Sequence, residues 1–315
     1  MGHAARGSCA ARRREPCQAG NRAAFSGPPR APQSACAPCD RTQESGIRGT
    51  GIRGFLSGLV IFVLGDMMKN YPRSANYDQL WVEKHWMGPH PLWLAEELCV
   101  HLDLRPGMRV LDLGCGKGLT SVFLAKEFGV TVFANDLWIP AAENLRRFEE
   151  AGVADRVFPI HAEAHALPYA EGFFDAAVSI DSYHYFGAGE SYFVDVFSKL
   201  VKPGGQLGVV VPGLAREYEK GCPDTLAQLW FPEMFTFHSA AWWRGLWEKT
   251  GLCDVTACRG LEDPKGLWRP WADWCIENFA QEFGDDCGGA DIDAKLLDAD
   301  TWDDLALIAI AAVKR

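Results

Sequence analysis

Val110-Leu111-Asp112-Leu113-Gly114-Cys115-Gly116-Lys117-Gly118 decides how this chain is read. Apolar residues lead into an acid, and three glycines follow at alternate positions. Leu119 to Phe128 then carries apolar side chains at helical spacing. The pattern predicts a strand, a tight glycine turn and a helix. Glycine lets backbone approach a ligand closely, because no Cβ intervenes. The free N–H groups of the helix start point the same way. The expected occupant of the turn is a nucleotide-type cofactor.

Working outward, strands and helices alternate. Strands are expected at Arg109–Leu113, Val130–Asp136, Arg156–His161, Phe174–Asp181, Gln206–Val211, Leu252–Leu261 and Leu305–Val313. Helices are expected at Pro91–Leu98, Ala141–Ala151, Ser191–Leu200, Leu226–Trp230, Ala241–Lys249 and around Trp268–Phe279. Lys202-Pro203-Gly204-Gly205 reads as a turn, and Pro212-Gly213 as a strand stop. The fold class is α/β, a doubly wound, mostly parallel seven-stranded sheet with added aromatic-rich helices. Ligands of such sheets lie beyond the carboxyl ends of the strands. Seven of the twelve Trp fall between 230 and 274; most are expected to pack the added helices, and some to line a pocket.

Of 31 basic and 41 acidic residues, nine Arg and three acids lie in residues 1–53. The remainder holds 22 basic and 38 acidic residues, an acidic body poorly suited to phosphate backbones. Residues 1–53 are rich in Ala, Arg, Gly, Pro and Ser and show no apolar periodicity, which predicts disorder. Gly54–Gly65 is apolar but a dozen residues long, short of the roughly 20 that a membrane span needs. Residues 1–66 are therefore expected to be a disordered or spurious extension, with translation beginning at Met67 or Met68; a targeting segment is the alternative. Residues 67–315 are expected to form one domain, with 71–104 as a cap and 214–250 and 262–303 as substrate-side insertions. The eleven Cys are irregularly spaced, which predicts reduced thiols in a cytoplasmic protein. No tight His/Cys/carboxylate spacing implies a metal.

Three features downstream qualify the glycine turn. Asp136 ends the second strand, 22 residues beyond Gly114. Glu163 follows the third, and Lys202-Pro203-Gly204-Gly205 precedes the fifth. Together these residues resemble the class I S-adenosylmethionine-dependent methyltransferases, whose fold is Rossmann-like. Within them the chain looks like the small-molecule branch that includes ubiquinone/menaquinone-biosynthesis-like and cyclopropane-fatty-acid-synthase-like enzymes. The resemblance covers about residues 90–261. It implies S-adenosyl-L-methionine as cofactor, with Gly114, Cys115, Gly116 and Gly118 beneath its methionine and ribose. It implies that Asp112 binds the methionine ammonium, Asp136 the ribose hydroxyls, and Leu137 the adenine flank. Glu163 and Ala164 would reach the adenine edge, and Asp181 would face the transferred methyl. Glu163 stands where the family often has Asp, and Trp138 is an uncommon neighbour.

Catalytic candidates are Asp181, Tyr183 and His184 at the mouth of the fourth strand: His184 as a base, Tyr183 and Tyr185 as walls of the acceptor pocket. Tyr77 and His85 are candidates to close over the cofactor. The expected function is methyl transfer to a small-molecule acceptor, aromatic or apolar, with no nucleic acid and no stable membrane insertion. The alternatives are a non-catalytic S-adenosylmethionine-binding protein and a lipid-modifying, cyclopropane-synthase-like enzyme. Acceptor identity and oligomeric state do not follow from these residues.

Overall fold

The computed structural model describes residues 70–283 and 291–315. The expectations for residues 1–66 lie outside the described residues. The strands are β1 (Arg109–Leu113), β2 (Thr131–Asp136), β3 (Val157–His161), β4 (Phe174–Ile180), β5 (Val201–Leu214), β6 (Cys253–Gly260) and β7 (Leu305–Lys314). They form one sheet in the order β3-β2-β1-β4-β5-β7-β6. All neighbours are parallel except β7, which runs antiparallel between β5 and β6, with Val209 opposite Ile310. The expected seven-stranded, mostly parallel sheet is borne out. Strand order reverses between β1 and β4, which opens a crevice at their carboxyl ends.

The sheet is covered on both faces, so its central strands read as near-continuous apolar runs. Val110, Leu111 and Leu113 are fully buried, as are Val209, Val210 and Val211. One apolar layer holds Val110, Val132, Val178 and Leu307 against two helices, α2 (Pro91–Cys99) and α3 (Leu119–Phe128). The other holds Leu111, Leu113, Val209 and Ile310 against Phe193, Phe197, Trp243 and Trp247. Alternation along β1 sends Val110 to one layer and Leu111 to the other, as period-2 geometry requires.

Before the sheet, a short 3-10 turn (Ser74–Asn76), α1 (Gln79–His85) and α2 build a cap. It is fastened by Tyr71, whose ring stacks on Trp93 at 5.3 Å and whose hydroxyl donates to Glu97. Glu96 accepts from the Ser74 hydroxyl at 2.8 Å. Pro91 starts α2 in the position where a missing N–H costs nothing. The residue before it, His90, caps the helix by accepting from Trp93 N through Nδ1.

Several expected boundaries change. Lys202–Gly205 is not a separate turn but a bulge inside β5, where the register with β4 jumps between Phe174 and Ala176. Pro212-Gly213 does not stop β5, which continues to Leu214 beside β7. β4 pairing ends at Val210, so the proline lies where β5 has one neighbour. Leu226–Trp230 is a series of turns, too short between Pro223 and Pro232 to hold a helical nucleus. The expected Ser191–Leu200 helix is α6 (Glu190–Tyr192), a π turn (Phe193–Phe197) and α7 (Ser198–Leu200). Another short helix, α5 (His184–Gly187), precedes it, and α8 (Ala240–Glu248) follows β5. The Trp268–Phe279 piece extends to α9 (Pro264–Phe283), and α10 (Ile292–Ala299) was not foreseen. Among the described residues no helix is long and apolar enough to cross a membrane.

Candidate functional site

The carboxyl ends of β1, β2 and β4 bring the glycine turn, Asp136–Trp138 and Asp181–Ser182 to one crevice. The turn is held from several sides. Asn135 O accepts from Gly114 N at 2.8 Å and Cys115 N at 2.9 Å. Asp136 Oδ2 accepts from Gly116 N at 2.8 Å. Asn144, on α4 (Ala141–Glu150), donates to Gly116 O at 2.9 Å and is itself fixed by Arg147. Gly114 and Gly116 adopt φ of 73° and 53°, which side-chain-bearing residues rarely do. A Cβ at Gly114 would lie 1.8 Å from Ser182 Oγ, and one at Gly116 3.0 Å from Met87 Sδ. The turn therefore fits only glycine, and the cap segment Trp86–Gly88 passes over it.

Asp112 is fully buried. Its Oδ2 accepts from Ser121 Oγ at 2.6 Å, while Oδ1 has no partner among the described residues. Burial pushes this carboxyl up to about 7. A buried acceptor oxygen without a donor is costly unless a ligand completes it. An ammonium group answers that need, and close backbone at Gly116 answers a ribose. Asp136 uses three lone pairs on Gly116, Trp138 and Ile139 N–H groups, which fixes its carboxylate at the β2 end. These features fit S-adenosylmethionine.

The remaining predicted residues fall as follows. Leu137 is half exposed, and its carbonyl is bonded by His161 Nε2 at 2.8 Å. Glu163 pairs with His165 at 2.6 Å, and Ala164 O accepts from the Tyr192 hydroxyl. Cys115 is buried against Asn144, and burial pushes its thiol up. Gly118 starts α3, where a Cβ would meet the Phe148 ring. Asp181 holds a left-handed backbone, φ 54°, at the end of β4. Its carboxyl is raised well above the usual range, by desolvation and by the charge of Asp293.

Tyr183 is fully buried in the second apolar layer, its ring against Phe197, Trp243 and Trp247. It packs the layer rather than opening to the crevice. His184 is buried between Tyr185 and Phe237, and burial pushes it down to about 3. Tyr77 donates to Glu127 on α3, and His85 is buried with Nδ1 on Trp81 O. Both fasten the cap.

Sequence reasoning missed Met87, Gly88, Ser121, Asn144 and Asp293. Asn144 had a signal: it shares the inward face of α4 with Phe148, four residues on, as a polar residue among apolar ones. Met87, Gly88 and Asp293 come from segments far along the chain and carry no local pattern.

Residues 110–205 match the family described as methyltransferase domain. Methyltransferase GfsG of Streptomyces halstedii is 32% identical over 117 residues, 37% of this chain and 42% of that protein. The 27-O-demethylrifamycin SV methyltransferase of Amycolatopsis mediterranei is 30% identical over 156 residues, 45% and 56% respectively. The chain thus spans about half the length of these curated relatives. In fold it resembles YjhP of E. coli, with a TM-score of 0.59 at 23% identity over 75% of this chain and 98% of that one. It also resembles the [4+2]-cyclase SpnF, at 0.56 and 19% over 70% and 80%. These matches bear out the resemblance to the class I S-adenosylmethionine-dependent methyltransferases of small molecules, with the family match lying over residues 110–205.

Proposed function

We propose that this protein transfers a methyl group from S-adenosylmethionine to a small-molecule acceptor. One observation carries the reading: the orphaned Asp112 oxygen lies beside a glycine turn that tolerates no side chain, with Asp136 fixed at its edge. When bound, S-adenosylmethionine supplies a methyl group already activated on a sulfonium. The chain's task is then alignment, which supplies much of the acceleration in such a displacement. In this reading Asp112 holds the ammonium, the Gly114–Gly118 backbone the methionine and ribose, and Asp136 the ribose hydroxyls. Leu137, Glu163 and Ala164 are assigned to the adenine side, where Glu163 has one carboxylate oxygen on His165. The Trp86–Gly88 segment excludes water above the turn, as its contact with Gly116 supports.

Asp181 is assigned to the acceptor side, at the floor of the crevice. His184 is poorly suited to be a base at neutral pH, since burial keeps its imidazole neutral and weakly basic. We assign it, with Tyr183, to packing behind the acceptor pocket. A cytoplasmic setting accords with the free thiols of Cys99, Cys115 and Cys258.

Calorimetry with S-adenosylmethionine tests the assignment. Asp136→Ala releases three backbone donors and removes a carboxylate, so affinity is expected to fall at least about tenfold. Gly116→Val forces a branched side chain into Met87 and into positive φ, and should abolish binding. Unchanged affinity in both variants would refute the cofactor site. Formation of S-adenosylhomocysteine across an acceptor panel separates an enzyme from a binding protein. That separation matters here, because a cyclase shares the fold.

A further inference from the structure

Two aromatic rings meet across the mouth of the crevice, and both are open to water. Trp138 follows the end of β2, and Tyr185 lies in α5, beyond the end of β4. β1 runs between those two strands, so the rings meet by spanning its end, where the glycine turn sits. Their centres are 5.7 Å apart and their planes stand at 60°. Contacts join the pair to the turn on both sides. Trp138 N donates to Asp136 Oδ1 at 2.7 Å, and the other oxygen of that carboxylate accepts from Gly116 N at 2.8 Å. Tyr185 N donates to Ser182 O at 3.1 Å, and the Ser182 hydroxyl fills the place that a Cβ on Gly114 would take. The glycine turn, Asp136, Trp138, Tyr185 and Ser182 thus close a ring of contacts around one opening.

Trp138 is 56% exposed and Tyr185 50%, and Leu137, next to Trp138 in the chain, is also 50% exposed. Single apolar side chains on a surface need no explanation, but a group of them at the mouth of a concave site marks a surface that a ligand covers. Both rings are held in place. Tyr185 is backed by the buried ring of His184 at 4.0 Å, which stands edge-on to Phe237. Trp138 is tied through its backbone to Asp136. The Leu137 carbonyl is bonded by His161 at the end of β3, whereas the Trp138 ring reaches the other way, to the β4 side that holds Asp181. Adjacent residues therefore serve opposite sides of the crevice, Leu137 the adenine side and Trp138 the acceptor side.

Two rings at this angle form a wedge. A third flat ring packs into it with its face on one and its edge on the other, the arrangements that ring quadrupoles favour. A saturated ring of similar size buries comparable area there but lacks that added attraction. We propose that Trp138 and Tyr185 set the specificity of this site, selecting an acceptor that carries a flat aromatic ring over a saturated one of the same size. This rests on the methyl-transfer reading and adds the substrate class to it. Because both rings are held before the acceptor arrives, little side-chain entropy opposes the selection.

The test uses the full chain saturated with S-adenosylmethionine and two probes, 1-naphthol and its saturated counterpart decahydro-1-naphthol. Dissociation constants come from ligand-observed saturation-transfer NMR titrations. The aromatic probe is expected to bind at least about threefold tighter, the worth of the added ring contacts. Trp138→Leu and Tyr185→Leu keep an apolar side chain, and Trp138→Leu keeps the N–H on Asp136. Each should erase the preference, and the double variant should lose no more than either single one, since both rings serve one wedge. S-adenosylmethionine affinity by calorimetry should stay within about twofold, because the backbone bond to Asp136 is kept. Equal binding of the two probes overturns the proposal, as does no saturable binding of 1-naphthol up to its solubility, or a preference that survives in both single variants. Titrations without S-adenosylmethionine tell the two readings apart. A chain that binds no S-adenosylmethionine yet still prefers 1-naphthol through these rings would remove the methyl-transfer reading and leave the aromatic selection standing.

Discussion

His90 shows how one side chain ties stability to pH. Its ring stacks on Trp93 at 3.9 Å, caps α2 through an acceptor nitrogen, and is fully buried. Desolvation pushes it down to about 3, against 6.5 for a free histidine. The native state thus refuses a proton that the unfolded chain accepts. The sign is that stability is complete above about 6.5 and is lost as pH falls toward 3. His184 acts in the same direction. Asp112, raised to about 7, acts in the other: its share is complete below 3.8 and is lost as pH rises through 7. The His90 share of the denaturant midpoint should therefore fall from pH 7 to pH 4, and His90→Asn, which keeps a capping acceptor, should remove that share from the pH slope. A slope identical in the variant would contradict this. Such roles were only partly legible. Asp112, Gly114, Gly116 and Asp136 could be read because strand, turn and helix are contiguous in sequence. His90 as a cap could not, because its neutrality is imposed by Trp86 and Trp93 packed around it.

At the scale of elements, the tryptophan-rich insertions divide by the layer they serve. Trp243 and Trp247 on α8 are fully buried against the sheet, and Trp247 meets Phe193 at 4.9 Å. They act as packing residues. Trp247→Ala is expected to cost about 3–5 kcal/mol of unfolding free energy, as loss of a large buried ring does. S-adenosylmethionine affinity should not change, since no element of the glycine turn touches that ring. Chemical denaturation alongside calorimetry checks both halves. Trp86, Trp268 and Trp271 belong to the opposite layer, where α9 lies over the cap and His90 N bonds Leu267 O. The sequence foretold that most of these tryptophans pack the added helices but not which layer received them. The π turn at Phe193–Phe197 was equally hidden. One extra residue in a helical turn leaves apolar spacing almost unchanged, and Phe193 and Phe197, four apart, are both fully buried.

For the molecule as a whole, the two layers flank one sheet, and the proposed cofactor crevice lies where strand order reverses. A ligand bound to the native state alone stabilises by mass action, by about 2.7 kcal/mol at one hundred times its dissociation constant. For a domain of this size that is a rise of about 5–10 °C in melting temperature. Scanning calorimetry with and without S-adenosylmethionine should show it, and an unmoved transition at saturation would speak against binding to the folded state. The mostly parallel seven-stranded sheet was legible from the alternation of elements, and a cap over 71–104 was expected, but how that segment is held was not legible, because it depends on contacts such as Arg259 with Glu97, 162 residues apart. The bracing of the glycine turn has one more consequence. Asn135, Asp136 and Asn144 already fix its backbone, so little conformational entropy is left for a ligand on the proposed site to remove. On the proposed site, entry and exit would pass the strap from Trp86 to Gly88 that crosses Gly116. On the proposed site, residence time would be a property of that strap and affinity a property of the turn beneath it.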